Sequence, residues 1–357
     1  MSDSLVDWGL AERVATSIAG GGETAPPPPI LSADGLAATC SEAETRIREY
    51  ARLEPVEALP APEPLDRTEW VRAIMGTLQD FAAELERENT MDVSLPGPLG
   101  GIVRSLLRVA AGTEAGLAVG YAGRRILGQY DIALIGDQRP PRLMMVVPNL
   151  RATAAELDVE LEPFVRWVAL HETTHALQFT SAPWLREHLG DAIRRLLGGA
   201  AEGAGLGDLL RRIVREPRRA ISSILRGELA AAVVGPQQAP LLERVQATMT
   251  VIEGHAEHVM DGAAGGFVDD VEGLRARVEA KRAARGPLET VAGRLLGLDL
   301  KLRQYELGKG FCDAVAARGG IEALNRVWEG PGTLPNLREL EHPAEWLQRT
   351  AAAETTL

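Results

Sequence analysis

The chain contains few aromatic residues and only two cysteines. Aromatic residues make up 4% of its 357 residues, so leucine, valine, alanine and isoleucine must build the core. Cys40 and Cys312 are too few for a disulfide framework, and a chain of this length does not need one. We therefore expect two reduced thiols.

Acidic residues outnumber basic ones, 50 to 38, and long apolar runs are lacking. The net charge is −12 and the isoelectric point is near 5.2, which argues against nucleic acid as the main partner. No uninterrupted apolar run reaches the length of about 18 residues that a membrane-spanning helix needs. The first residues lack the basic segment and apolar run of a signal peptide. We expect a cytoplasmic protein that binds neither membranes nor nucleic acid; the sequence leaves its oligomeric state open.

Most of the chain carries helical patterns. Apolar residues recur at intervals of three and four in residues 5–18, 41–52, 65–89 and 102–121. Pro60, Pro62 and Pro64 separate the second and third of these segments. Two short apolar runs, QYDIALI and PRLMMVVPN, predict the only strands. The predicted fold is mostly α with a small central β-sheet, in the α+β class.

Breaks in these patterns suggest three regions. Residues 1–30 hold an N-terminal helix and a proline-rich linker, and residues 31–128 form a helical region. Residues 129–357 carry the motifs described below and include a helical insert at about 185–240, expected to form one compact unit with the preceding helices. Within the insert, the glycine-rich start of Gly198–Gly227 predicts a mobile lid.

The stretch HETTHALQF indicates a metal site. His171 and His175 are four residues apart, so on a helix both imidazoles project from one side. Zinc accepts such a pair, and Glu172 can then take a proton from a metal-bound water. Pro163 and the acidic residues around it favour the start of a helix here.

A third ligand is expected on the helix that contains VIEGHAEHVMD. Glu253 interrupts an apolar stripe of this helix, and a buried carboxylate needs a partner or a metal. We interpret Glu253 as the third zinc ligand. Glu257, one turn later, is expected to hold the outer N–H of a ligand histidine. A solvated face is the alternative interpretation for both glutamates.

Other side chains near these motifs have weaker signals. His258 could border the site as a catalytic group, and His258 or Asp261 is the alternative third ligand. His255 points away from Glu253 around the helix. Tyr305 is a candidate hydrogen-bond donor to the oxyanion that forms at a carbonyl, although the sequence favours a buried structural tyrosine with its hydroxyl capped.

These motifs resemble those of zincin metallopeptidases. More narrowly, the chain resembles a family from GC-rich bacteria known as zinc-dependent metalloproteases or as proteins associated with deazaflavin-coenzyme biosynthesis. The similarity runs over most of the chain, through LGQYDIAL, WVALHETTHALQFTSAPWLREHL, VIEGHAEHVMDG and KLRQYELGKGF. It implies that His171, His175 and Glu253 bind zinc and that Glu172 is the base and acid. It further implies a zincin-like active-site helix under a short sheet, and the arrangement is similar to gluzincins except for a long insert before Glu253.

The predicted function is a zinc-dependent hydrolase, most directly a metallopeptidase acting on a peptide or protein. The alternatives are a zinc-stabilised scaffold or partner-binding protein without catalysis, and a hydrolase of a non-peptide amide or ester. The presence of Glu172 favours an enzyme, because a structural zinc site does not need it. We also expect Leu143 to Val147 to form an edge strand to which an extended peptide could pair.

Overall fold

Helices make up most of the computed structural model, together with one small sheet. It describes residues 4, 6–21, 26–88, 100–132, 134, 139–202, 238–283 and 298–354. The predicted mostly α architecture with a small sheet is confirmed. Among the described helices, none combines the length and apolar character needed to cross a membrane. The chain divides into two compact units that alternate along the sequence.

The first unit comprises Met1–Cys40 and Pro60–Ala169. Its helices and strands, two of which continue into the second unit, are α1 (Trp8–Ala19), a 3₁₀ turn (Pro29–Leu31), α2 (Ala33–Ala51), β1 (Pro62–Leu65), α3 (Arg67–Glu88), α4 (Gly100–Gly123), β2 (Gly128–Asp131), β3 (Arg142–Val146), α5 (Val147–Leu157) and α6 (Leu161–Ser181).

Close packing of α1 on α4 organises this unit. The carboxylate of Asp7 accepts a hydrogen bond from the backbone of Leu10 and so caps the start of α1. A Cβ atom at Gly116 of α4 would lie 2.6 Å from the carbonyl oxygen of Ala11, so the glycine permits this approach. The buried core beside it includes Ala11, Ala15, Ala19, Trp70, Val71, Met75, Val119, Met144 and Val146.

The sheet has three strands in the order β1-β3-β2. β3 pairs in parallel with β1, where Glu63 lies opposite Met144, and antiparallel with β2, where Gln129 lies opposite the same residue. β3 is therefore the central strand, and both of its edges are already paired. The prediction that a peptide adds to Leu143–Val147 as to an edge strand is wrong, and Val147 itself begins α5.

β1 was not predicted, because its prolines were interpreted as a break between helices. Pro62 and Pro64 are two residues apart, so their nitrogens lie on the same edge of the strand. Proline has no N–H to donate, so Glu63 and Leu65 must supply the backbone donors toward β3. Proline is tolerated on an edge strand for this reason. The side chain of Arg142 on β3 also forms an ion pair with Glu63.

The second unit comprises Ser41–Leu59 and Leu170–Leu357. It contains the later parts of α2 and α6, followed by α7 (Trp184–Glu202), α8 (Ala239–Ala263), α9 (Val271–Ala283), α10 (Leu298–Asn325), a 3₁₀ turn (Arg326–Trp328), α11 (Leu337–Glu341) and α12 (Pro343–Glu354). Most of the predicted lid Gly198–Gly227 lies outside the described residues, which omit 203–237.

The backbones of α8 and α10 are in direct contact. A Cβ atom at Gly254 would lie 2.1 Å from the carbonyl carbon of Gly308, and one at Gly308 would lie 2.1 Å from the carbonyl oxygen of Thr250. Only glycine allows two helices to approach so closely. Because Glu253 immediately precedes Gly254, the predicted third ligand lies beside this crossing.

Candidate metal centre

His171 and His175 lie one turn apart on α6, as the motif predicts. Their rings meet edge to face, with centroids 4.6 Å apart and planes at 84°. The two Nε2 atoms are 3.1 Å apart. The helical spacing of four residues thus places two potential ligand atoms side by side.

Glu253 on α8 completes a group of three. Its Oε2 atom lies 3.7 Å from Nε2 of His171 and 3.4 Å from Nε2 of His175. The side chain of His171 is 20% exposed, that of His175 is 13% exposed and that of Glu253 is 14% exposed. In the part of the chain that the structure describes, they form the one group of histidine, cysteine and acidic side chains close enough to share a metal ion.

The spacing of these atoms suits zinc. Ligands about 2.0–2.1 Å from a tetrahedral zinc ion lie about 3.3 Å from one another. The separations of 3.1, 3.4 and 3.7 Å bracket that value. Two imidazoles and a carboxylate are also a donor set found in catalytic zinc sites, which use three protein ligands and leave one position for water or substrate.

The outer nitrogens of both rings support the same conclusion. Nδ1 of His171 is 3.3 Å from the sulfur of Met260, and Nδ1 of His175 is 2.9 Å from Oε1 of Gln178. Both partners are hydrogen-bond acceptors, so a hydrogen bond requires the proton on Nδ1. The lone pairs on the two Nε2 atoms then face each other and the carboxylate of Glu253. A cation at this point would relieve the repulsion between them.

Electrostatics at His175 also favour positive charge. Burial opposes protonation of this ring, but the carboxylates of Glu253 and Glu172 and hydrogen bonds to neighbouring side chains outweigh it. The pKa of His175 is raised from 6.5 to about 9. The group therefore attracts a cation, whether that cation is a proton or a metal ion.

Glu172 follows His171 directly and is buried, with 8% of its surface exposed. Its charge contributes to the raised pKa of His175, which places it in the electrostatic neighbourhood of the ligand group. It is not one of the three residues that could share an ion.

The structure gives Glu257 and Asp261 a cationic partner. Arg275 on α9 donates to the carboxylate of Glu257 at 3.0 Å and to that of Asp261 at 2.7 Å. Lys309 lies 3.1 Å from Asp261 as well. Glu257 was predicted to hold the outer N–H of a ligand histidine. The outer ring nitrogens of His171 and His175 instead contact Met260 and Gln178. Asp261 does not join the group around His171, which favours Glu253 as the third ligand.

His258 lies in a separate chain of hydrogen bonds. Its Nδ1 atom is 2.7 Å from Oδ1 of Asp313, and its Nε2 atom is 3.0 Å from the hydroxyl of Tyr50. Lys309 donates to the other oxygen of Asp313 at 2.6 Å. Burial tends to raise the pKa of Asp313, but the hydrogen bonds and charges of Lys309 and His258 lower it below its usual value. Tyr305 belongs to α10, but its side chain lies outside the described part of the structure.

Several residues of these hydrogen-bond networks were not predicted from sequence. Gln178 has a local signal, since it lies three residues after His175 on the same helix face. Tyr50 and Asp313 have none, because 208 and 55 residues separate them from His258. His255, predicted to point away from Glu253, is fully buried, and its ring contacts Gln178. Burial, with smaller contributions from the charges of His258 and His175, lowers its pKa to about 3, so this ring is neutral.

Comparisons with known proteins agree with the geometry. The model of the zincin-like metallopeptidase family matches residues 6–347, and the chain belongs to this family. A crystal structure from Chloroflexus aurantiacus, described as a proposed hydrolase with a novel fold, is similar with a TM-score of 0.68 and 26% identity. The match covers 97% of this chain and 99% of that one. No significant match was found among curated proteins. The resemblance to zincin metallopeptidases is thus confirmed.

Proposed function

We propose that the protein is a zinc-dependent hydrolase whose substrate is a peptide or protein. The observation that carries the proposal is the convergence of Nε2 of His171, Nε2 of His175 and Oε2 of Glu253, with buried Glu172 adjacent in sequence. Membership of the zincin-like metallopeptidase family supports it. Zinc bound there would polarise a carbonyl group and lower the pKa of a water molecule.

Each side chain of the centre has a defined task in this proposal. His171, His175 and Glu253 hold the ion with three donors, which leaves room for water and substrate. Glu172 accepts the proton of the attacking water and then delivers it to the leaving amine nitrogen as the peptide bond breaks.

A peptide library tests the proposal. The zinc-loaded protein, the chelator-treated protein and the protein reloaded with zinc are each incubated with a mixed peptide library and, separately, with a panel of non-peptide esters and amides, and products are identified by mass spectrometry. We expect cleavage that chelation abolishes and zinc restores. A protein that carries full zinc yet cleaves no peptide, ester or amide would contradict the proposal and favour a zinc-stabilised scaffold. Cleavage of esters or amides alone would shift the substrate class away from peptides.

A further inference from the structure

Gln178 occupies a buried position with every polar atom in contact. Its side chain has no exposed surface. Oε1 lies 2.9 Å from Nδ1 of His175, and Nε2 lies 2.9 Å from the carbonyl oxygen of Ile252 and 3.0 Å from Nδ1 of His255. The amide oxygen thus faces the metal centre, and both amide hydrogens face α8.

The carbonyl of Ile252 determines which way this amide points. A carbonyl oxygen only accepts hydrogen bonds, so the nitrogen end of Gln178 must face it. The oxygen end therefore faces His175 and requires a proton on its Nδ1 atom. Nε2 of His175 is left with its lone pair, and this is the atom 3.4 Å from the carboxylate of Glu253.

His255 provides the second anchor for the amide. The ring of His255 lies between two N–H groups, with Nδ1 3.0 Å from Nε2 of Gln178 and Nε2 3.4 Å from Nε1 of Trp328. A neutral imidazole accepts at one nitrogen only, and the shorter contact assigns that role to Nδ1. The indole of Trp328 meets that ring edge to face, with centroids 5.0 Å apart and planes at 88°. His255 is fully buried, so its ring is held by packing as well as by the hydrogen bond.

The same amide links the two helices that carry the ligands. Ile252 immediately precedes Glu253 on α8, whereas His175 belongs to α6. One side chain therefore connects the ring of one ligand to the backbone beside another. Ligand histidines in zinc sites commonly donate their outer N–H to such a partner, which fixes the ring and its tautomer.

We propose that Gln178 is the positioning residue of the metal centre, holding His175 with its Nε2 lone pair toward the ion and keeping α6 in register with α8 beside Glu253. This inference rests on the proposed function, and it adds a residue that determines how tightly the site binds zinc. Gln178 acts through His175 and does not itself bind the ion.

Zinc affinity measured by competition with a chelator tests this role. Gln178→Met removes the amide at similar size, and we expect zinc affinity to fall by about 10–100-fold. Gln178→Glu keeps an oxygen that accepts from His175 but, when ionised, has no hydrogen to donate to Ile252 or His255, so its loss of affinity should be smaller than that of Gln178→Met. Thr180→Val is the control, because it removes a buried hydroxyl of the same helix that bonds only to the carbonyls of Ala176 and Leu177.

Three outcomes would overturn the role of Gln178: wild-type zinc affinity in Gln178→Met, an equal loss in Gln178→Glu, or an equal loss in Thr180→Val. Should Gln178→Met not fold, the zinc-loaded wild type decides by NMR with labelled histidine. It must show a hydrogen-bonded, slowly exchanging Nδ1 proton on His175, and a rapidly exchanging one contradicts the proposal. If the wild type binds no zinc, the proposed function fails together with the inference about Gln178. If the wild type binds zinc and the Gln178 variants bind it equally well, only the inference about Gln178 fails.

Discussion

Replacement of Glu172 by glutamine is expected to lower turnover by about 10²–10⁴-fold, the usual contribution of a positioned general base. Glutamine keeps the size of the side chain and much of its hydrogen bonding but does not accept the proton. The ligand atoms of His171, His175 and Glu253 are untouched, so zinc content should equal that of the wild type. The variant should also lose the acidic limb of the pH–rate profile, since that limb reports ionisation of Glu172 or of the bound water.

Steady-state kinetics on a peptide from the library screen, with zinc content measured on the same samples, checks this prediction. Glu162→Gln is a matched control, because it changes an exposed glutamate at the start of the same helix. It should behave as the wild type does. Turnover of Glu172→Gln at the wild-type rate would rule out the proposed acid–base role.

The second large effect is expected at Gly254, where α8 crosses α10. An alanine Cβ would lie 2.1 Å from the carbonyl carbon of Gly308 and 2.4 Å from its Cα atom. The obstacle is backbone, so relief requires the two helices to separate. Gly254→Ala should therefore lower the free energy of unfolding by at least about 3 kcal/mol, at the upper end of the cost of overpacking. Zinc binding should weaken too, because Glu253 moves with its neighbour.

Gly310→Ala on α10 is the control for this substitution. Gly310 is exposed, and a Cβ atom added there would meet no heavy atom within 4 Å outside its immediate neighbours. Here alanine should stabilise the protein by about 0.5–1 kcal/mol, since glycine is a poor helix former. Denaturant unfolding of the metal-free proteins compares the two. Equal stability of the two variants would show that the helices do not meet at Gly254.

Features of the fold that depend on residues close together in the chain could be predicted from the sequence. The spacing of His171 and His175 is a property of one helix, and Glu253 is conspicuous as a charge on an apolar stripe. β1 could not be predicted in this way, because its prolines argue against a strand unless the strand is known to lie at an edge. The central position of β3 likewise depends on this distant partner.

The surroundings of the metal centre were harder to predict for the same physical reason. The contact between Gln178 and Ile252 involves a backbone carbonyl, which leaves no trace in residue type. The hydrogen bonds of His258 to Tyr50 and Asp313 join three helices. These partners thus depend on how helices distant in sequence pack together, whereas the histidine pair depends on spacing within one helix.

Metal content of the wild type and of Glu253→Ala tests the central claim most directly. Elemental analysis after loading with zinc and removal of excess metal gives the number of ions bound per chain, and circular dichroism reports whether the fold is retained. We predict one zinc ion in the wild type and loss of most of it in a folded Glu253→Ala. A wild type without zinc would contradict the metal centre, and full zinc in Glu253→Ala would assign the third ligand to another residue, such as His258 or Asp261.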